Sequence, residues 1–331
     1  MMIWLLLIFY MIIVISSSFS SSLSSLKNNN SNHLVVLAHG IMGTSNDLGY
    51  LANLLREKGC IVLCSSVNER TESLNGIDIG GKKLALEIVN IIDKMPSINE
   101  ISFVGNSLGG LYSRFAIKEL DNNSKLNNIK RKYFMSIATP HLGVLNYTYI
   151  EQALDISIPV QIKELVASTM LRSGKHVFLA DRENGKLSQS LLYKMATSDI
   201  YLNPLKAFSK RRLYANLVND FVVPCEISSL LSHDECTNLR RKNQFTSGIV
   251  AVLSENNRAA INSDIDSFHY MLSSLDNIGW SKVIVNFPGV LPIAHNKICA
   301  LQRFPLFFYD KLMGTSEGKH VMNDAAAFLL Q

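Results

Sequence analysis

The five cysteines of this chain, Cys60, Cys64, Cys225, Cys236 and Cys299, do not fall into the paired, closely spaced set of a zinc site. An odd count leaves at least one thiol unpaired within a monomer. Cys60 and Cys64 lie on or beside a predicted strand and read as packing residues; Cys225 with Cys236 is the pair that reads as a candidate disulfide. The sequence also lacks a long basic tract. Its formal charge is +5, and the basic residues fall in short clusters, Lys130-Arg131-Lys132, Lys210-Arg211-Arg212 and Arg240-Arg241-Lys242. These read as solvated turns leading into strands, which argues against a nucleic-acid partner. There is no phosphate-cradling glycine loop, no metal-ligand set and no internal repeat, so the chemistry expected of the chain needs no cofactor. The one long apolar run, Met1 to Ile15, spans about 22 Å as a helix, short of the roughly 30 Å hydrocarbon core of a membrane.

What is present is a large apolar fraction, 47% of 331 residues, enough for a sizeable core and incompatible with general disorder. Residues 1–32 combine the apolar run with a serine- and asparagine-rich stretch. They read as a signal peptide or uncleaved signal anchor plus linker, although the basic start of a signal peptide is missing. The expected location is the secretory pathway, an endomembrane or membrane attachment through this segment; the alternative is a cytosolic protein associated with lipid surfaces. Asn29, Asn122 and Asn146 each open an Asn-x-Ser/Thr triplet, which matters only on the secretory route.

The folded domain is expected over 33–331. His33 to Ala38, Cys60 to Cys64, Ile101 to Val104, Tyr133 to Ala138 and Arg212 to Val218 read as strands, with a last one from Trp280 to Phe287. Leu48 to Lys58, Gly80 to Lys94, the stretch after Gly110 and Lys319 to Leu330 carry helical spacing. The alternation predicts an α/β fold with a mostly parallel sheet covered on both faces, which gathers reactive residues beyond the carboxyl ends of the strands. From about 147 to 205 the strand signal lapses and amphipathic helices predict a cap. Ile227 to Ser247 reads as irregular and polar, and Gly248 to Leu253 has no assigned place.

The centre of the chain is Gly105-Asn106-Ser107-Leu108-Gly109-Gly110, set between an apolar strand and a helix. A serine at such a turn has its hydroxyl thrust out above the sheet, which is how a weak alcohol is presented as a nucleophile. It needs a base and an acid, and in strand-turn-helix hydrolases they follow in the order serine, acid, histidine. Asp220, directly after the strand ending in Val218-Asn219, fits the acid better than Asp181 or Asp199 in the expected cap. His295, in the loop after the last strand, fits the base better than His320 at the head of the terminal helix. His141 and His269 read as packing or supporting residues. The oxyanion donors expected are the N–H of Leu108, after the nucleophile, and that of Ile41, in the turn His39-Gly40-Ile41-Met42-Gly43.

Val35 through Gly43, Gly105 through Leu111, Ala138-Thr139-Pro140-His141-Leu142-Gly143 and Tyr214-Ala215-Asn216 through Asp220 together resemble the serine esterase family of lipase-like proteins (DUF676). Thr71 to Gly81, with Gly76-Ile77-Asp78 and Gly80-Gly81, is similar to its pattern as well. The resemblance runs from about Leu34 to the C-terminus. It implies an α/β-hydrolase fold and hydrolysis of carboxylic esters of lipids, acylglycerol or phospholipid, with Ser107, Asp220 and His295 as the catalytic triad. No obligate protein partner is implied, and a membrane surface is the expected meeting place with substrate. Asn106 departs from the histidine many such lipases carry there, which bears on substrate fit. Two other readings stand beside it: acyl transfer to an alcohol on the same triad, and a non-catalytic lipid-binding protein of hydrolase fold.

Overall fold

Every residue of His33–Ala38 is buried, and the run splits cleanly by side: Leu34, Val36 and Ala38 join one apolar cluster, Val35 and Leu37 the other. That two-residue alternation with both sets buried is the signature of a strand covered on both faces. The computed structural model describes residues 32–145, 151, 157–254, 267–289, 291–302 and 314–331. The expected targeting segment, the triplets at Asn29 and Asn146, and the start of the expected cap lie outside the described residues. Among the described residues no helix is long and apolar enough to cross a membrane.

Seven strands form one sheet in the order β2-β1-β3-β4-β5-β7-β6: β1 (His33–Ala38), β2 (Ile61–Cys64), β3 (Glu100–Asn106), β4 (Lys130–Ile137), β5 (Lys210–Asn216), β6 (Gly248–Leu253) and β7 (Ser281–Asn286). All pairings are parallel except β6 with β7. The unplaced stretch Gly248–Leu253 is therefore an antiparallel edge strand. Only Gly248 in it is fully buried and Val252 is exposed, so it lacks the continuous burial that marked the inner strands. Against one face lie α2 (Ile77–Lys94) and α3 (Leu108–Asn122), through Leu84, Ile88, Leu111 and Phe115; against the other lie α1 (Gly49–Glu57) and α12 (Lys319–Leu329), through Leu51, Leu55, Val321 and Ala325. This is the α/β-hydrolase fold.

Gly80 and Gly81 have a packing reason. A Cβ on Gly80 would run into the Tyr112 ring and one on Gly81 into Phe115, so the pair lets α2 lie flat on the helix that follows Ser107. Between β4 and β5 the described structure is helical: α4 (Val160–Thr169), α5 (Leu171–Val177), α6 (Leu191–Thr197) and α7 (Asp199–Lys206), with short 3₁₀ turns. The stretch expected to be irregular instead holds α8 (Cys225–Ser229) and α9 (His233–Lys242). Ser232 and Glu235 cap α9 reciprocally in a capping box, and Arg240, Arg241 and Lys242 fill its last turn, where cations complement the helix dipole. Two basic clusters thus lead into strands as expected, at β4 and β5, and the third ends a helix. All five cysteines are free thiols. The expected Cys225–Cys236 bridge is a contact between two buried thiols whose sulfurs are 3.3 Å apart.

Several buried histidines are held neutral. Burial brings the His33 pKa down to about 4, with Lys132 adding to the effect. His141, fully buried beside Arg114, is pushed well below the usual imidazole range. In the unfolded chain both return to about 6.5, so between pH 6.5 and 4 the unfolded state binds more protons and stability falls as pH falls. The melting midpoint is expected to drop on going from pH 7 to pH 5, each such imidazole contributing up to about 1.4 kcal/mol per pH unit below 6.5. A midpoint that is flat across this range contradicts the assignment.

Candidate active site

β3 ends at Asn106 and α3 begins at Leu108, leaving Ser107 to turn the chain by itself at φ 53°, ψ −125°. A non-glycine residue in such a conformation costs on the order of 1–3 kcal/mol and persists only where its surroundings impose it. They do so here. The Ser107 N–H donates to the Ile137 carbonyl of β4 at 2.8 Å. Gly105, Gly109 and Gly110 are so closely packed that a Cβ on them would collide with the Gly110 backbone, the Ala38 carbonyl and the Thr139 side chain respectively. The turn after β1 comes equally near: a Cβ on Gly40 would stand 2.8 Å from the Ser107 Cβ and 3.2 Å from its Oγ.

Asp220 and His295, 75 residues apart in sequence, are brought together. His295 Nδ1 lies 3.1 and 3.0 Å from the two Asp220 carboxylate oxygens. In the neutral ring that contact puts the proton on Nδ1 and leaves Nε2 as the acceptor. The carboxylate is held from behind by three further donors: Asn216 Nδ2 at 2.7 Å, and the N–H groups of Val222 and Val223 at 3.0 and 2.8 Å. The two loops are stitched along their backbones. Asp220 pairs with Ile293 in an isolated antiparallel bridge, and the Ala294 N–H donates to the Asn219 carbonyl at 3.0 Å. Asn219 Nδ2 donates to the Phe287 and Gly289 carbonyls at 2.9 and 3.0 Å. Asn216 and Asn219 were not singled out in the sequence, although both flank the acid in Asn216-Leu217-Val218-Asn219-Asp220.

His295 sits not in a free loop but in a four-residue helix, α11 (Ala294–Lys297), so the stitching, not ring mobility, sets its direction. His320 heads α12, exposed, its ring 6.2 Å from that of Phe287. Asp181 accepts the Leu191 N–H at 2.8 Å and Asp199 opens α7. His269 is exposed on α10 (Ser267–Asp276). His141 is a packing residue: Arg114 donates to its Nδ1 at 3.3 Å, its Nε2–H donates to Ser136 Oγ at 2.8 Å, and its ring meets Trp280.

Ser107, Asp220 and His295 are 4%, 3% and 7% exposed, and each follows the carboxyl end of a parallel strand of the same sheet. The Ser107 hydroxyl makes no hydrogen bond to any described residue, and the His295 ring is bonded through Nδ1 to Asp220. Nor do the N–H groups of Ile41 and Leu108 find a protein acceptor among the described residues. The site thus offers a strained serine, a carboxylate–imidazole pair, and two backbone N–H groups, of Ile41 and Leu108, without an acceptor among the described residues.

Residues 28–232 match the model of the family described as "Putative serine esterase (DUF676)". The chain belongs to this family. Its match covers Ser107 and Asp220, and the family member's His295 lies beyond it. Among curated relatives, "Putative lipase YDL109C" of Saccharomyces cerevisiae is 31% identical over 214 residues, covering 61% of this chain and 31% of its own. "Putative lipase C4A8.10" of Schizosaccharomyces pombe is 27% identical over 291 residues, covering 80% of this chain and 36% of its own. The chain therefore spans about a third of the length of these relatives. A crystal structure of Paleococcus ferrophilus monoacylglycerol lipase aligns with a TM-score of 0.40 at 14% identity, over 90% of this chain and 93% of that one.

Proposed function

We propose that this member of the serine esterase family is a lipase or esterase that cleaves carboxylic esters of lipids through a Ser107–His295–Asp220 triad and an acyl-enzyme. The single observation that carries the reading is the twofold contact of His295 Nδ1 with the Asp220 carboxylate, on the same sheet edge as a serine held at a strained turn. In the reaction, His295 Nε2 takes the hydroxyl proton as Ser107 Oγ bonds to the acyl carbon. The carbonyl oxygen becomes an oxyanion held by the N–H groups of Ile41 and Leu108. The C–O bond to the alcohol then breaks, the alkoxide taking the proton from His295. Water, deprotonated by the same histidine, attacks the acyl-enzyme, and the fatty acid leaves as Ser107 recovers its proton. Asp220 keeps the imidazole in its tautomer throughout and supports the transient imidazolium.

Two features support a lipid substrate. The helical segment between β4 and β5, read here as a cap, shows water the apolar side chains Ile162, Leu165 and Leu171, 51%, 63% and 55% exposed. The relatives' printed names are those of lipases. The test is to treat the full chain with a fluorophosphonate, map the modified peptide, and compare hydrolysis of p-nitrophenyl butyrate with that of emulsified triacylglycerol and phospholipid. Labelling on Ser107 and turnover of both substrate kinds are expected. A labelled protein that turns over none of these esters would instead mark a binding protein, and product esters formed only with added alcohol an acyltransferase.

A further inference from the structure

A side chain from a segment with no part in the chemistry above holds the turn after β1. Between β2 and α2, Arg70–Leu74 form a short 3₁₀ helix. Within it Ser73 is completely buried. Its Oγ accepts the Met42 N–H at 2.8 Å and donates to the Arg70 carbonyl. Its carbonyl is engaged twice more, by Tyr112 Oη at 2.7 Å, from the helix that follows Ser107, and by Ser173 Oγ at 2.6 Å, from α5. Ser173 in turn accepts the Gly76 N–H at 3.0 Å. Ser73 is thus fixed by buried groups from two other segments, α3 and α5, and the face it turns toward the Gly40–Gly43 turn is its hydroxyl.

Met42 stands at φ 52°, in the left-handed region that an unbranched side chain occupies only under constraint. Three bonds impose it: Met42 N–H to Ser73 Oγ, Gly43 N–H to the Gly40 carbonyl at 3.1 Å, and Arg70 N–H to the Gly43 carbonyl at 2.9 Å. The Gly40 carbonyl also receives His39 Nδ1 at 2.9 Å. Because C=O and N–H of a trans peptide point opposite ways, pinning the Gly40 carbonyl from one side turns the Ile41 N–H out on the other. If Met42 relaxes, Gly43 moves and the Gly40 carbonyl keeps only its contact with His39 Nδ1, which holds that peptide less firmly.

We propose that Ser73 is a positioning residue for the oxyanion turn, its hydroxyl holding Met42 so that the Ile41 N–H stays aimed at the oxygen that becomes negative in the tetrahedral intermediate. This rests on reading Ile41 and Leu108 as the oxyanion donors. A misaimed donor acts on the transition state and leaves ground-state binding alone, so the loss belongs in kcat.

The experiment compares full-length wild type with Ser73→Ala and Ser102→Ala on p-nitrophenyl butyrate, with inhibition by an alkyl boronic acid as a tetrahedral mimic. Ser102 is the matched control: equally buried, it also accepts a backbone N–H, that of Tyr133 at 3.2 Å, and lies in β3 five residues before the turn. Ser73→Ala is expected to lower kcat by about 10- to 100-fold with KM within about twofold, and to weaken the boronic acid by a similar factor. Ser102→Ala should keep kcat within about twofold. Should Ser73→Ala fail to fold, Ser73→Cys keeps the volume with a poor acceptor and should show a smaller loss in the same constant. A loss no larger than that of Ser102→Ala, or one confined to KM, overturns the proposal. If Ser107→Ala hydrolyses as well as wild type, the esterase reading falls and Ser73 with it; if Ser107→Ala is inactive while Ser73→Ala keeps its kcat, only the role of Ser73 falls.

Discussion

Replacing Ser107 by alanine is expected to lower ester turnover by at least about 10⁴-fold and to abolish fluorophosphonate labelling. The same residue offers a second, independent readout. Ser107 carries φ 53° on a side chain with a Cβ, a conformation costing on the order of 2 kcal/mol. Alanine retains that strain, whereas glycine relieves it and gives back about 1 kcal/mol through the larger entropy of its unfolded chain. Ser107→Gly should therefore be as inactive as Ser107→Ala yet more stable, by about 1 kcal/mol in a denaturation experiment. Activity surviving in both variants would exclude Ser107 as the nucleophile. A Ser107→Gly protein about 1 kcal/mol less stable than Ser107→Ala would mean that the turn is not strained at this residue.

The second large effect concerns the base. If His295 is the base, His295→Ala should reduce turnover about as severely as loss of the nucleophile, because the members of such a triad act as a unit. His320→Ala should stay within about twofold of wild type, since that imidazole is exposed and packs on Phe287. Initial rates of both variants on p-nitrophenyl butyrate at neutral pH make the comparison. The reverse outcome, a dead His320→Ala beside an active His295→Ala, would transfer the role of base to His320 and leave the Asp220–His295 pair structural.

Much of this was legible in the chain because it rests on local rules. Continuous burial on both faces writes inner parallel strands as short apolar runs, so β1, β3, β4, β5 and β7 could be read directly. The turn at Ser107 announces itself through its glycines, which close packing demands. The ordering of serine, acid and histidine then selected two residues from a larger set of candidates, and Asp220 and His295 do meet. What escaped was whatever depends on the surface or on partners distant in sequence. β6 is half exposed at an edge and carries no strong pattern, and α9 was hidden by its polarity although its capping box, Ser232 with Glu235, was visible. Asn216 at the end of its strand, and Asn219 and Ser73 beyond the strands, look like ordinary polar residues until the fold shows what each one holds.

The way the carboxylate loop is sewn to the imidazole loop has an evolutionary corollary. Backbone and asparagine contacts define the spacing of that pair locally, so the polypeptide joining them need only return to the same place. Closing a longer excursion costs merely about 0.6 kcal/mol per doubling of its length. Descendants of this gene are thus at liberty to lengthen, shorten or redecorate the parts of that connection outside β7, acquiring new surfaces there while proton transfer continues undisturbed.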